Sequence, residues 1–130
     1  MNPTPNRKTR ILVIDDEPDI TLLVKLNLEQ TGRYEVREEN QATRSLAAAR
    51  AFNPDLVLLD VMMPDLDGGD VVSMLKDDAR FANTPIVFLT ATVLREEVAS
   101  KGGKIGGYPF LPKPVSLEEL VGIIEENLRR

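Results

Sequence analysis

Five residues of this chain carry chemistry that a packed core does not need: Asp15, Asp16, Asp60, Thr90 and Lys113. Three carboxylates gathered in one pocket make an oxygen-rich cage for a hard divalent cation. Mg²⁺ suits such a cage because it takes one or two protein carboxylates, keeps several waters and accepts phosphate oxygens as further ligands. A lysine ammonium and a threonine hydroxyl are both donors to those oxygens. A cation, an ammonium and a hydroxyl around one carboxylate form an electrostatic clamp for a phosphoryl group, whose transfer asks for charge stabilisation more than for proton transfer. Each residue also has a plainer use. Asp60 can end a strand and start a turn, since Pro64, Asp65, Asp67 and Gly68 are turn chemistry; Asp15 or Asp16 can cap a helix; Thr90 can end a strand; Lys113 can be solvated. Capping needs only one of two adjacent acids, however, and like charges side by side cost energy unless a cation or donor offsets them.

The elements that must position these residues are short apolar runs. Ile11 to Ile14, Leu56 to Leu59 and Ile86 to Leu89 are too short for buried helices and suit strands covered on both faces. They finish on Asp15, Asp16 and Glu17, on Asp60, and on Thr90. Tyr34 to Arg37 predicts an edge strand. Tyr108 to Leu111 predicts a fifth strand, and Pro109 within it lacks a ladder donor, which places that strand at a sheet edge. Between the strands, Pro18 suits a first helical turn with Asp16 as N-cap, followed by the stripe Ile20, Leu23, Val24 and Leu28 and closed by Gly32. An alanine-rich helix is expected over 41–52, with Leu46, Ala49 and Phe52, ended by Asn53 and Pro54. A third helix runs from Gly68 through Val71, Val72 and Leu75 to about Asp78, and a fourth from about Leu94 to Lys101. The last begins with Ser116 and Glu119 as a capping box and shows Leu117, Leu120, Val121, Ile124 and Leu128 on one face. Gly102, Gly103, Gly106 and Gly107 are half of the chain's glycines; each costs a helix about 1 kcal/mol against alanine, so the end of the fourth helix is expected to be mobile. Five strands alternating with five helices force parallel crossovers, hence an α/β sheet with helices on both faces. The carboxyl ends of the first, third, fourth and fifth strands then share one edge, where ligands bind in such sheets, and that edge collects the five residues.

A chain of 130 residues fits one domain. Residues 1 to 8 hold two prolines and little to bury, so a flexible lead is expected before a single domain over 9–130, with Arg7, Lys8 and Arg10 solvated. The absence of cysteine and histidine excludes disulfides, thiolate zinc sites, thiol nucleophiles, phosphohistidine and the commonest general base. A net charge of -5 with dispersed Lys and Arg argues against a nucleic-acid surface. No apolar run reaches the roughly 18 residues of a membrane span and no signal peptide opens the chain, so the cytoplasm is the expected location.

The motifs VIDDEP, LLDVMMPDLDG, FLTA and GGYPFLPKP stand in an order and spacing that resembles the receiver domain of bacterial two-component response regulators, over about residues 9 to 128. The combination is highly specific, whereas each motif alone is weak. The resemblance implies a flavodoxin-like, doubly wound sheet of five parallel strands in the order 2-1-3-4-5 with five helices. It implies that Asp60 is phosphorylated from a sensor histidine kinase or histidine phosphotransfer protein, without the chain being an enzyme beyond assisting its own phosphorylation and dephosphorylation. Asp16 would bind Mg²⁺ directly with Asp15 assisting through water, and Asp60 and the Met62 backbone carbonyl would complete the protein ligands. Thr90, Lys113 and Ala91 would hold the phosphoryl group, and the Lys113–Pro114 bond would be cis. The switch pairs Thr90 with an aromatic three residues before the lysine, here Phe110, which lacks a tyrosine hydroxyl and so points to a packing-driven switch. The output face would combine the fourth and fifth helices with the fifth strand, acting on a downstream protein or through a phosphorylation-dependent dimer. Two departures stand out: the Gly102 to Gly107 cluster on that face, and Met62 and Thr92 at the positions that tune phosphate lifetime.

Two other readings compete. PDLDGG is similar to the DxDG signature of haloacid-dehalogenase-type phosphatases, but Pro64 interrupts the strand before Asp65 and Gly69 stands where a hydroxyl residue belongs. The substitution D65N would abolish a phosphatase of that kind and D60N a receiver. A receiver-like interaction module that is never phosphorylated is opposed by the complete set of Asp15, Asp16, Asp60, Thr90 and Lys113. If the chain is a whole protein, its output is a face that docks on a partner or passes the phosphoryl group to a histidine phosphotransfer protein; if it is a fragment, a DNA-binding or enzymatic domain could follow.

Overall fold

The computed structural model of the protein describes residues 7–91, 104–105 and 107–128. Strand β1 (Thr9–Ile14) leads into α1 (Pro18–Gln30), β2 (Tyr34–Glu39), a 3₁₀ turn (Ala42–Arg44) and α2 (Ser45–Phe52). There follow β3 (Leu56–Asp60), α3 (Gly68–Lys76), a second 3₁₀ turn (Ala79–Phe81), β4 (Ile86–Thr90), a short β5 (Lys104–Ile105), β6 (Tyr108–Pro112) and α4 (Leu117–Leu128). The sheet order is β2-β1-β3-β4-β6-β5. The first five strands of that order are parallel and reproduce the expected 2-1-3-4-5 arrangement; β5 pairs antiparallel to β6. Four α-helices stand among the described residues, and the expected helix from about Leu94 to Lys101 lies outside them.

Strand pleating divides the core. Leu12, Ile14, Val57, Leu59, Phe88 and Phe110 point to one face and pack with Ala49 of α2 and Val71 and Leu75 of α3. Ile11, Val13, Leu56, Leu58, Val87 and Leu89 point to the other and meet Val24 and Leu28 of α1 and Leu120 and Ile124 of α4. Every residue of β3 and β4 is buried, as expected of central parallel strands. At the opposite end of the sheet, the Lys76 ammonium donates to the carbonyls of Phe81, Ala82 and Thr84 at 3.1, 3.2 and 2.6 Å, which ties α3 to the loop entering β4.

Several local expectations need correction. Asp16 does not cap α1: Glu17 occupies the N-cap with no side-chain cap bond, and the Asp15 carboxylate accepts the Glu17 N–H instead, at 3.0 Å. The segment 41–52 begins as a 3₁₀ turn before the α-helix, and Asn53 closes it in the left-handed region, at φ 56°. Arg10 is not part of a free tail: it lies in β1, its guanidinium, still partly exposed, donates to the Phe52 carbonyl at 3.1 Å and stacks on the Phe52 ring, and its backbone N–H donates to Asp55. Arg7 also pairs with Asp55, at 3.2 Å. The strand with Pro109 is not the outermost, because Lys104 pairs opposite Pro109 and Ile105 opposite Tyr108. Gly107, at φ +87°, lies in the connection between these two strands, so at least one of the clustered glycines serves a tight hairpin rather than a frayed helix. Gly102, Gly103 and Gly106 lie outside the described residues.

The loop between β3 and α3 is closed by close packing. The Gly68 N–H donates to the Val61 carbonyl at 2.9 Å, and Asp67 caps α3 in a reciprocal box with Asp70. A Cβ at Gly68 would lie 2.7 Å from the Phe88 ring, 3.1 Å from the Val61 Cα and 3.2 Å from the Asp60 carbonyl oxygen. Two of those neighbours are backbone and cannot swing away. The substitution G68A is therefore expected to destabilise the fold by about 1 to 3 kcal/mol, as a lowered urea midpoint at unchanged slope, and G122A, where a Cβ meets nothing within 4 Å, to be no less stable than the parent.

Candidate functional site

Strand register sets the site. Ile14 pairs with Leu59, Asp60 with Leu89 and Thr90 with Pro112, so β1, β3, β4 and β6 end nearly level. Backbone bonds continue past the ladder: Asp15 N–H to the Glu39 carbonyl, Val61 N–H to Leu89, and Lys113 N–H to Thr90, at 3.1, 3.2 and 2.8 Å. The side chains that follow are thereby fixed at one edge. Lys113, in a chain that passes through a cis bond to Pro114 as expected, reaches back between two acids. Its Nζ lies 2.6 Å from Asp15 Oδ2 and 3.4 Å from Asp60 Oδ1. Glu17 Oε1 lies 3.6 Å away.

Carboxylate oxygens of Asp15, Asp16 and Asp60 all lie within 4.8 Å of one another. Asp15 and Asp60 are buried, and Asp16 is partly exposed beside them. Among the described residues one ammonium, that of Lys113, offsets this concentration of negative charge, and the cost is visible in the acidities. Burial first, and then the neighbouring Asp15 charge, push Asp60 from its ordinary 3.8 up to about 6, against the lowering effect of Lys113. Burial also raises Asp15, partly countered by the Lys113 ammonium and the Glu17 N–H. Burial pulls Lys113 down, but its bond to Asp15 and the charges of Asp15 and Asp60 outweigh it and leave its pKa raised. A cluster of partly uncompensated carboxylate oxygens is a donor set that fits a hard divalent cation.

The structure brings Asp15, Asp16, Asp60 and Lys113 into direct company. Thr90 is fully buried at the end of β4, in the strand next to Asp60. Ala91 follows it and is exposed, as is Met62, two residues beyond Asp60. Phe110 is buried in the core, paired in register with Phe88, while Tyr108 meets the Phe88 ring edge-on at 5.9 Å. Thr92 lies outside the described residues. Of the DxDG-like pair, Asp65 is an exposed loop residue and Asp67 is occupied as the cap of α3.

The family model of the response regulator receiver domain matches residues 11–125. The chain belongs to that family. Receiver relatives include the DNA-binding dual master transcriptional regulator RpaA of Synechocystis, 38% identical over 122 residues, which are 93% of this chain and 49% of the relative. The alkaline phosphatase synthesis transcriptional regulatory protein PhoP of Bacillus subtilis is 37% identical over 93% of this chain and 49% of its own length. The chain thus spans about half the length of the curated relatives it matches. Among solved structures, the Vibrio cholerae chemotaxis protein CheY4 superimposes with a TM-score of 0.80 at 28% identity, over 94% of this chain and all of that one. The non-phosphorylated HemR receiver domain of Leptospira biflexa gives 0.74 at 30% identity, over 95% and 96%. Receiver domains are signal transducers of two-component systems, generally without enzymatic activity. No helix among the described residues is long and apolar enough to cross a membrane.

Two residues near the receiver site were not singled out from sequence as site residues. In the sequence Glu17 is one more acid after the first strand, yet it is the third carboxylate facing Lys113. Asn40 donates to the Asp15 carbonyl at 2.9 Å; its only sequence signal is a polar amide directly after an edge strand.

The raised Asp60 pKa has a sign that can be tested. Between about pH 4 and pH 6 the folded state holds a proton on Asp60 that the unfolded state has lost, so this residue's contribution to stability falls as pH rises through that window. Without divalent cation, D60N is expected to be more stable than the parent at pH 7, on the order of 1 to 3 kcal/mol. The difference should shrink toward zero below pH 4, as read from paired urea denaturations across pH.

Proposed function

We propose that Asp60 is the phosphoacceptor of this receiver domain, and that the donor is a phosphohistidine of a sensor kinase or histidine phosphotransfer protein. The observation that carries the reading is the Lys113 ammonium held 2.6 Å from Asp15 and 3.4 Å from Asp60, with the Asp16 carboxylate alongside. In the transfer, an Asp60 carboxylate oxygen forms a bond to phosphorus as the phosphorus–nitrogen bond of the donor breaks, its electron pair leaving with the imidazole nitrogen. Asp15, Asp16, Asp60 and the Met62 backbone carbonyl would hold Mg²⁺. That ion, when bound, supplies charge that offsets the phosphoryl oxygens. Lys113 stands ready to pair with the same oxygens, and Thr90 and Ala91, at the adjacent strand end, complete the binding of the phosphoryl group.

Phe110 fits a packing-driven switch, since it is buried against the core and has no hydroxyl to satisfy. We assign output to the face that combines β6 and α4, acting on a downstream protein or a second receiver; the expected fourth helix of that face lies outside the described residues. Several relatives are named as DNA-binding regulators, which supports a transcriptional output in a longer protein over direct binding of nucleic acid by this acidic domain. The domain is assigned to residues 9–130 and to the cytoplasm; of the expected lead over 1–8, residues 1–6 lie outside the described residues and Arg7 pairs with Asp55.

Intact mass spectrometry after incubation with acetyl phosphate and Mg²⁺ tests the acceptor. One phosphoryl adduct is expected in the parent and none in D60N or in excess chelator. An adduct that persists in D60N would overturn the assignment, and so would a parent that takes no phosphoryl group from either acetyl phosphate or a phosphorylated kinase. Because a proton on Asp60 must leave before a cation binds there, the apparent Mg²⁺ affinity should weaken as pH falls below about 6, by up to about tenfold per pH unit. Calorimetric titration at several pH values reads this directly.

A further inference from the structure

The acidic pair hangs on a peptide that the neighbouring strand anchors from both sides. The Asp15 N–H donates to the Glu39 carbonyl at 3.1 Å, and the Asp15 carbonyl accepts from Asn40 Nδ2 at 2.9 Å. That carbonyl belongs to the rigid plane joining Asp15 to Asp16, so its direction sets where Asp16 begins. Among the described residues, the Asp16 carboxylate itself makes no hydrogen bond or ion pair, and nothing else orients it through its own oxygens.

Asn40 is in turn held. Its Nδ2 also donates to Thr21 Oγ1 at 2.9 Å, and Thr21 Oγ1 stands 2.8 Å from Glu38 Oε1 and 3.1 Å from the Pro18 carbonyl. Thr21 is fully buried, a polar residue on the face of α1 that otherwise presents Val24 and Leu28 to the core. A hydroxyl has one proton, and the shorter contact to a carboxylate takes it. Thr21 then accepts from Asn40, and the second Asn40 proton goes to Asp15. The direction of every bond in the chain Glu38, Thr21, Asn40, Asp15 is thereby fixed.

We propose that Asn40, locked by Thr21 and Glu38, is a positioning residue that presents the Asp16 carboxylate to a divalent cation. The proposal rests on the reading of Asp15, Asp16 and Asp60 as the Mg²⁺ site. Outer partners of metal ligands commonly carry about 10- to 100-fold in affinity; a partner acting through one peptide plane belongs at the lower end of that range. Three variants isolate the effect. N40A removes the donor, T21V removes the hydroxyl at nearly constant shape, and T21S restores it.

The measurement is the Mg²⁺ dissociation constant of the metal-free full chain by isothermal titration calorimetry at neutral pH. D16N serves as the non-binding reference, and circular dichroism verifies folding of each variant. N40A and T21V are expected to bind about tenfold more weakly than the parent, and T21S within about twofold of it. Parent-like affinity in N40A or T21V overturns the positioning role, as does a T21S as weak as T21V, which would trace the loss to packing. If N40A does not fold, the T21V and T21S pair decides. A parent that binds no Mg²⁺, or a D16N that binds as the parent does, instead overturns the metal reading underneath.

Discussion

The structure depends on a contest between burial and charge at the end of three strands. Asp15 and Asp60 are taken out of water where a parallel sheet terminates, and one lysine ammonium lies between them. Desolvation alone would neutralise such acids; a cation alone would collapse them into inert ion pairs. The observed balance sits between these limits. Lys113 is closer to Asp15 than to Asp60 by 0.8 Å, the difference of 3.4 and 2.6 Å, so the acid at the centre of the sheet is the less satisfied of the two. A carboxylate that is buried yet incompletely paired is poised to accept new electrophilic company.

Holding that balance requires backbone precision, which the sheet supplies. Hydrogen bonds that run beyond the regular ladder join Asp15 to β2, Val61 to β4 and Lys113 to the end of β4. Each functional side chain thus begins from a peptide clamped by a neighbouring strand rather than from a free loop. The exception is the loop after Asp60, and there Gly68 lets the chain return to within van der Waals distance of Val61 and the Phe88 ring. The same Phe88 pairs in register with Phe110 and meets Tyr108, so the loop after Asp60 and the last parallel strand share one aromatic contact.

Most of this was legible from the chain because short apolar runs ending on charged residues are a strong pattern. The runs fixed the central strands nearly to the residue, and the charges at their ends named the site: Asp15, Asp16, Asp60 and Lys113 do converge. What could not be read was mostly geometry of capping and pairing. Whether Asp15 or Asp16 serves the start of α1 depends on which carboxylate the turn aims at the Glu17 N–H, and sequence holds both equally. Arg10 looked like part of a basic lead because its partners, Phe52, Asp55 and Glu35, are more than twenty residues away along the chain. The two-residue β5 is too short to leave any periodic signal, and Thr21 and Asn40 meet only once β1, α1 and β2 have assembled.

The short β5 changes what the outer border of the sheet can do. An unpaired border of a parallel sheet offers a row of backbone groups to any extended segment that drifts past. Here the protein lays Lys104–Ile105 along that border itself, opposite Tyr108 and Pro109. A second molecule that tried to continue the sheet at those positions would have to peel this strip away or pair with a two-residue strand that is too short to template a ladder. Association on this side of the protein is thereby steered toward side-chain contacts, which can be made and released, and away from strand-by-strand growth.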